Sequence, residues 1–374
     1  METGHYSAQL VKMEPYASWL SEARAVDRMS RYNLRRRRIP RLIRERIDVA
    51  LLSDRELLRL TRLNRAAFDE LYARLETYLR PLTSRSHAVS GQTKLFACLQ
   101  FLANGSFQRL GGFACGVSQS TMSRIISQFL IGMRRISREL IHFPRSPAEW
   151  DAVKVAFYHL AQMPNVIGAI DCTHVALVPP SADEYMYRNR KLGHSLNVQV
   201  VCGPDMEIFS VVAKFPGSCH DAHILRESAL FNFFHAFYRE GGWLLGDAGY
   251  PCLPWLLTPL GHPSNNAEEA YNRAHVRTRS VIERCFGHLK TRFRCIDNSG
   301  GALLYKPQKV IDIIVACCVV HNICIKQNLP GYRLPHTPLS VQSDDFEDEE
   351  PDEEEEPDEA GNVVRGRVIV EFFE

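Results

Sequence analysis

The sequence predicts an α/β protein in which an all-helical segment precedes a mixed-sheet domain. Residues 51–150 carry apolar side chains at helical spacing, whereas from Pro164 onward short apolar runs alternate with polar residues as strands do. This change in periodicity divides the 374 residues into four predicted regions. These are an Arg-rich extension at 1–50, a helical domain at 51–150, a sheet domain at 160–330 and an acidic tail at 331–374.

The formal net charge of +2 hides two parts of opposite charge. Residues 344–359 hold thirteen acids and no base, so the rest of the chain is strongly basic. A body this basic favours a polyanionic partner such as DNA, and the tail is typical of a disordered, solubilising segment. Eleven cysteines without a CxxC pair predict no disulfide framework, which favours the nucleus or the cytoplasm.

The N-terminal extension is rich in arginine. Residues 28–46 contain nine arginines and one acid, and Arg35–Arg38 are consecutive. Such a cluster is typical of a nuclear-import signal or a nucleic-acid arm. The alternative is an ordinary helix face, although four consecutive arginines cannot share one face. No secretory signal and no long uncharged apolar run occur, so we expect no membrane contact.

The helical domain contains a segment with the plan of a helix-turn-helix. We predict one helix over Phe107–Cys115, a turn at Gly116-Val117 and a second helix capped by Ser118. Small polar side chains at the start of the second helix let a backbone approach phosphates, and Gln and Arg can reach base edges. The alternative is a purely structural helical hairpin. The predicted DNA-contacting residues here are Gln119, Ser120, Ser123 and Arg124.

The sheet domain begins with a recognisable order of elements. The predicted strands are Val166–Asp171, Leu196–Cys202, Ile208–Phe215 and Trp243–Gly246, with a helix from Asp221 and later helices at Thr278–Lys290 and Lys309–Lys326. Three strands, a helix and a strand is the opening order of the ribonuclease H-like fold, although many mixed sheets begin in the same way.

Four carboxylates in this domain are candidate metal ligands. Asp171 and Asp247 are predicted to end the first and fourth strands, Asp221 opens a helix, and Glu283 lies on a later helix off its apolar stripe. Mg²⁺ and Mn²⁺ prefer carboxylate oxygens, and paired ions can catalyse phosphodiester chemistry without a covalent nucleophile. The pattern is therefore compatible with a metal-dependent phosphodiesterase, although spacing alone does not establish a metal cluster.

Each carboxylate also has a structural interpretation. Asp221 is well placed as a helix N-cap, Glu283 could pair with Arg279 on a helix surface, and Asp247 could stabilise a turn. Asp171 is the hardest to explain in this way, because an acid that closes a buried strand needs a partner.

Other constellations are weaker. Cys317, Cys318, His321 and Cys324 resemble a zinc site, but they fall on an apolar helix that is better explained as core. The sequence has no GxSxG elbow and no GxxxxGK[ST] loop, which disfavours serine hydrolases and nucleotide hydrolysis.

Long ordered motifs carry a family resemblance. The segments are GAIDCTHVAL, YRNRKLGHSLNVQVVC, FPGSCHDAHIL, WLLGDAGYP, YNRAHVRTRSVIERCFGHLKTRFRC and ACCVVHNIC, together with GSFQRLGGFACGVSQSTMSRI in the helical domain. Over about residues 55–328 the chain resembles the PIF/Harbinger-type DDE transposases, including the domesticated nucleases derived from them.

The resemblance implies a ribonuclease H-like fold and DNA cleavage with Mg²⁺ or Mn²⁺. Matched motif by motif, it makes Asp171, Asp247 and Glu283 the catalytic triad and Asp221 a further metal ligand. All four acids are present. Arg279, Lys290 and Arg292 would then form part of a phosphate track around Glu283.

The resemblance also implies a partner, because the family works with a separate Myb-like protein that recruits it to DNA or to the nucleus. Two alternatives to a DNA endonuclease remain open. One is a domesticated DNA-binding or scaffold protein that keeps the fold without cutting, and the other is a metal-dependent nuclease acting on RNA. A homo-oligomer is compatible with the sequence, which does not specify the oligomeric state.

Overall fold

The computed structural model describes residues 45–81, 87–105, 108–237, 241–329 and 359–374. The described residues from Arg46 onward belong to one compact unit. The Arg-rich stretch up to residue 44 lies outside the described residues, so its role in import or nucleic-acid binding stays a prediction.

The N-terminal part of the compact unit is helical, as predicted. Ser118 caps one helix at the position that the sequence predicts, and Asn64, whose place before a run of helically spaced apolar residues also predicts an N-cap, caps another, both through their side-chain oxygens. Ser53 and Ser146 each form a capping box with a glutamate three residues later. The helices are α1 (Asp54–Thr61), α2 (Arg65–Leu79), α3 (Gly91–Asn104), α4 (Gln108–Ala114), α5 (Gln119–Leu140) and α6 (Pro147–Ala161).

A five-stranded mixed sheet follows. Its strands are β1 (Val166–Ala176), β2 (Ser195–Cys202), β3 (Ile208–Pro216), β4 (Trp243–Leu245) and β5 (Leu256–Leu257). The spatial order is β3-β2-β1-β4-β5. β1, β2 and β3 pair antiparallel, whereas β4 runs parallel to both β1 and β5.

Two strands differ from the prediction. β1 continues to Ala176, so Asp171 lies in its middle and does not end it. All eight residues of β2 are buried, although the alternation of apolar residues with Asn197 and Gln199 in the sequence predicts a half-buried strand. The polar side chains of β2 are covered by neighbouring segments, which sequence periodicity does not report.

Four helices complete the sheet region. They are α7 (Asp221–Arg226), α8 (Ala229–Phe237), α9 (Asn266–Arg292) and α10 (Pro307–Lys326). The sequence predicted α9 only from Thr278, because its first turns are polar and carry no apolar stripe. Asn265 nevertheless caps this helix, and Glu268 and Glu269 complement the helix dipole in its first turn.

One hydrophobic core joins the helical part to the sheet. α10 packs on α5 and β3, while α6 crosses the predicted boundary at residue 150 and packs on β1 and α9. The two predicted domains therefore share a core within one unit. α10 is long and apolar enough to span a membrane, but 67% of its apolar window is buried in the protein, as in a core helix.

The cysteines behave as the sequence predicted. All eleven are free thiols, and Cys317, Cys318, His321 and Cys324 lie buried on α10.

The C-terminal segment contains a helix, α11 (Glu359–Phe373), where the sequence predicted a disordered tail. Val368 and Ile369 are buried against the core, and the Arg365 guanidinium donates to the carbonyls of Thr258 and Pro259 at 3.3 and 3.2 Å. The prediction is wrong for these residues because an apolar run follows the acids and can bury its side chains. Residues 330–358 lie outside the described residues.

Candidate metal centre and nuclease site

Three carboxylates from three different elements meet at the middle of the sheet. The potential ligand oxygens of Asp171, Asp221 and Asp247 all lie within 4.8 Å of one another, and no other such His, Cys, Asp or Glu group occurs within the described residues. The strand register explains the approach of two of them. Ala169 of β1 pairs with Leu245 of the parallel strand β4, and each aspartate follows two residues later.

The electrostatics at Asp171 reflect crowding of negative charge. Its side chain is 16% exposed, and burial together with the charges of Asp247 and Asp221 raises its pKa to about 8. The Arg279 guanidinium and the Cys172 backbone N–H, which donates to Asp171 Oδ1 at 2.7 Å, oppose that rise. A cation at this position would relieve the repulsion among the three aspartates that Arg279 and the Cys172 N–H do not compensate.

Asp221 is held by a side chain of β2. Asn197 Nδ2 donates to Asp221 Oδ1 at 2.8 Å and to the Cys219 carbonyl at 3.0 Å, and Asn197 is only 3% exposed. His220 occupies the N-cap of α7, so the interpretation of Asp221 as a cap is wrong. The aspartate is instead the first helical residue, with its carboxylate turned toward the other two acids.

Asp247 has two roles in the structure. Its Oδ1 accepts the Gly249 N–H at 3.2 Å and its carbonyl accepts the Tyr250 N–H at 3.3 Å, so it does stabilise the turn that the sequence suggested. The same turn buries Tyr250, whose hydroxyl accepts from Gln199 Nε2 at 3.3 Å and lies 3.3 Å from Cys172 Sγ. Burial raises the pKa of Tyr250 and of the Cys172 thiol, so both stay protonated.

Sequence reasoning missed the four side chains that support the acids: Cys172, Asn197, Gln199 and Tyr250. A signal existed for two of them, because Asn197 and Gln199 are polar residues at a period of two within an apolar strand. That spacing predicts a half-buried strand, whereas both side chains are buried: Asn197 donates to Asp221, and Gln199 donates to Tyr250.

Glu283 lies outside the cluster. Arg279 Nη1 donates to Asp171 Oδ2 at 2.9 Å, and its Nη2 donates to Glu283 Oε1, so one guanidinium separates the two acids. The pairing of Glu283 with Arg279 that the sequence suggested is therefore present, and a metal role for Glu283 stays a prediction. Arg279, predicted on a phosphate track, has a side chain only 6% exposed and belongs to the site itself.

The other predicted DNA contacts fall in different environments. Gln119, Ser120 and Arg124 are exposed at the start of α5, Ser123 is half-buried there, and Lys290 is half-buried on α9. Arg292 is 2% exposed and donates to His321 Nδ1 at 3.2 Å. Its predicted contact with DNA is wrong, because Arg292 extends the core-facing stripe of α9.

Comparisons with known proteins agree with this site. Residues 170–322, which include all four acids, match the DDE superfamily endonuclease model. The chain is 43% identical over 268 residues to the nuclease-named protein HARBI1 of Rattus norvegicus, covering 72% of this chain and 77% of the relative. The HARBI1 protein of Homo sapiens is also 43% identical over 255 residues, covering 68% and 73%.

A plant relative is more distant. The ALP1-like protein of Arabidopsis thaliana is 29% identical over 277 residues, covering 70% of this chain and 66% of the relative. No solved structure matches the chain. With its DDE endonuclease domain and its likeness to the nuclease-named relatives, the chain belongs to the family of nucleases derived from Harbinger transposases.

Proposed function

We propose that this protein is a divalent-metal-dependent DNA endonuclease. The observation that carries the proposal is the group of three aspartates with ligand oxygens within 4.8 Å of one another. Membership of a transposase-derived nuclease family supports it. So does the strand order β3-β2-β1-β4-β5, antiparallel for the first three strands and parallel for the last two, which favours the ribonuclease H-like assignment.

The residues fit a hard divalent cation such as Mg²⁺ or Mn²⁺. The donor set consists of carboxylate oxygens, and the raised pKa of Asp171 indicates negative charge that the described side chains leave incompletely compensated. Divalent ions bound there would supply Lewis-acid polarisation of a phosphodiester and activation of the attacking water.

The protein side chains position this chemistry. Asp171, Asp221 and Asp247 would hold the cation, and the hydrogen bond from Asn197 orients the Asp221 carboxylate. Buried Tyr250 accepts a hydrogen bond from Gln199 and contacts Cys172, the residue that follows Asp171. Glu283 joins as the third acid of the triad when Arg279 releases it. No protein side chain forms a covalent bond with the substrate in this scheme.

The charge distribution favours DNA as the substrate. The body of the chain is basic, and exposed Gln119, Ser120 and Arg124 begin a helix that follows a short helix and a turn. We propose nuclear function with a Myb-like recruiting protein, as the resemblance implies. Cleavage of RNA remains the alternative for the same site, and matched DNA and RNA duplexes separate the two.

A second candidate function has one observation in its favour. Arg279 pairs with both Asp171 and Glu283, so a cation of the protein already occupies part of the acidic site. A domesticated DNA-binding protein that no longer cuts would retain such a pairing for stability. The same experiment distinguishes this candidate from the nuclease.

The test is nicking of supercoiled plasmid with and without Mg²⁺ or Mn²⁺. Wild type is compared with Asp171→Asn, Asp247→Asn and Glu283→Gln, and with Asp205→Asn as a matched control at an exposed turn. Metal-dependent nicking by wild type and the control, lost in the cluster variants, supports the nuclease. Folded protein that binds DNA and does not nick it, with the Myb-like partner present or absent, supports the scaffold.

A further inference from the structure

A short hairpin tip carries cations around one exposed leucine. Residues Arg188–His194, which we call the basic finger, join the turn at Glu184–Tyr187 to β2. The finger contains two arginines, one lysine, one histidine and no acid. Arg188, Arg190 and Lys191 are exposed, and Leu192 at the tip is 69% exposed.

The finger has one defined conformation. Its ends pair through an antiparallel bridge between Arg188 and His194, and the Asn189 N–H donates to the Gly193 carbonyl at 2.8 Å. The Asn189 side chain accepts the Gly193 N–H at 3.0 Å and donates to Ser195 Oγ at 2.9 Å. These bonds present the tip as a rigid projection.

Leu192 adopts a backbone conformation that leucine disfavours. Its φ is +60°, in the left-handed region that favours Gly and Asn. A branched apolar side chain at such a position, exposed to water, is doubly unfavourable for the isolated protein. Backbone strain of this kind is concentrated at functional sites.

The finger is attached to the acidic cluster. Arg190 Nη2 lies 2.9 Å from His220 Nδ1, and His220 directly precedes the cluster residue Asp221. The segment before Asp221 packs tightly on the base of the finger, since a Cβ at Gly217 would meet Ser195 Oγ at 2.4 Å and the Tyr187 carbonyl at 2.9 Å. Arg190 and the base of the finger are thereby held against the segment that carries Asp221.

We infer that the basic finger engages duplex DNA beside the cleavage position, with Arg190 and Lys191 on backbone phosphates and Leu192 inserted into the base stack. The inference rests on the proposed nuclease function and adds a step to it. Positive charge complements the phosphates, and an apolar side chain between cations is the arrangement with which proteins wedge open a base step. Opening the duplex delivers a single flexible strand to the three aspartates.

Two substitutions remove the wedge and preserve the turn. Leu192→Asn and Leu192→Gly suit a positive φ, so both variants fold, and a melting temperature no lower than that of wild type verifies this. Leu51→Asn is the matched control, because Leu51 is 83% exposed and lies outside the finger. Lys191→Ala tests the phosphate contact separately.

The cleavage assay uses an intact duplex and the same duplex with a short unpaired bubble. On the intact duplex we expect Leu192→Asn to cut at least about tenfold more slowly than wild type, because it must open the base step unaided. On the duplex with the bubble, its cleavage rate should be within about twofold of that of wild type, because the base step is already open. Lys191→Ala should bind both substrates more weakly than wild type. The slope of the logarithm of its DNA affinity against the logarithm of the salt concentration should be smaller in magnitude by about one.

A binding assay separates failure of this inference from failure of the proposed function. The fluorescence of a duplex that contains 2-aminopurine increases (the duplex brightens) when this base analogue unstacks. Brightening by wild type and by Asp171→Asn, but not by Leu192→Asn, supports the wedge even when no variant cuts. The inference is overturned when wild type produces no brightening, or when Leu192→Asn cuts the intact duplex as fast as Leu51→Asn.

Discussion

Replacing Asp171 by asparagine will stabilise the metal-free protein while abolishing its metal response. The folded protein retains the Asp171 proton up to about pH 8, whereas the unfolded chain releases it near the ordinary pKa of 3.8. The folded state therefore binds more protons between these values, and the stability of the metal-free wild type falls as the pH rises through this window. Asparagine has the same shape and does not titrate.

The size of the effect follows from this difference in pKa. The destabilisation of the folded state at pH 7.5 is the difference between 7.5 and the ordinary Asp171 pKa of 3.8, multiplied by about 1.4 kcal/mol for each pKa unit. This product is about 5 kcal/mol. Asparagine resembles the protonated acid that the folded protein holds at this pH, and the opposing effect of Arg279 is already contained in the raised pKa. We therefore expect the variant to gain on the order of a few kcal/mol in the free energy of unfolding at pH 7.5.

The assay is urea unfolding of wild type and Asp171→Asn at several pH values, in chelator and in Mn²⁺. In chelator, the advantage of the variant should grow from pH 5 to pH 8. In Mn²⁺ at about a hundred times its dissociation constant, wild type should gain about 2.7 kcal/mol, and the variant should gain little. Asp205→Asn, at the exposed turn, should follow wild type throughout.

Two results would refute this reasoning. In one, Asp171→Asn is less stable than wild type in chelator at every pH, so the acidic cluster is not a source of repulsion. In the other, Mn²⁺ stabilises wild type and the variant equally, so the ion binds elsewhere.

Three further predictions concern other parts of the molecule. From pH 6.5 toward pH 4, wild type should lose about 3 kcal/mol of stability relative to His275→Gln, because burial lowers the pKa of His275 to about 4 and the unfolded chain binds the proton more tightly. A difference between the two proteins in urea unfolding that does not grow as the pH falls would contradict the assignment. Ile369→Ala should lower the free energy of unfolding by about 2–3 kcal/mol, because Ile369 is buried against the core. Val370→Ala, at an exposed position, should change it by less than about 0.5 kcal/mol. Equal losses for the two variants in urea unfolding would show that α11 is not packed on the core. Arg279→Gln should lower the melting temperature in chelator, because Asp171 and Glu283 lose the guanidinium that pairs with them. For the same reason, Mn²⁺ should raise the melting temperature of the variant more than that of wild type. A Mn²⁺-induced increase no larger than that of wild type would contradict the prediction.

Much of the local structure could be predicted from the sequence. Apolar periodicity and capping residues are local signals, so the sequence predicts the first residues of β1 to β4 and the caps Asn64 and Ser118 close to their observed positions. The sequence also predicts that Asp171 and Asp247 converge, because side chains at the ends of strands of one sheet collect together. The structure confirms the convergence but gives it another cause, because Asp171 lies within β1 and the parallel register with β4 brings the two residues together.

Features that depend on tertiary contacts could not be predicted in this way. Burial of Asn197 and Gln199 depends on segments that cover β2, and α11 depends on a groove formed by α9 and β5. The exclusion of Glu283 from the cluster depends on which carboxylates the Arg279 side chain reaches, and spacing along a helix does not contain that information. Arg292 is a further example. Its charge predicts a position at the surface, but its side chain is buried in the core.

The most direct test of the central claim is anomalous diffraction from crystals of the full chain soaked in Mn²⁺. The account predicts an anomalous peak within coordination distance of carboxylate oxygens from Asp171, Asp221 and Asp247, and no such peak in Asp171→Asn crystals. Full Mn²⁺ occupancy elsewhere with an empty cluster, or a peak that persists unchanged in Asp171→Asn, would contradict it.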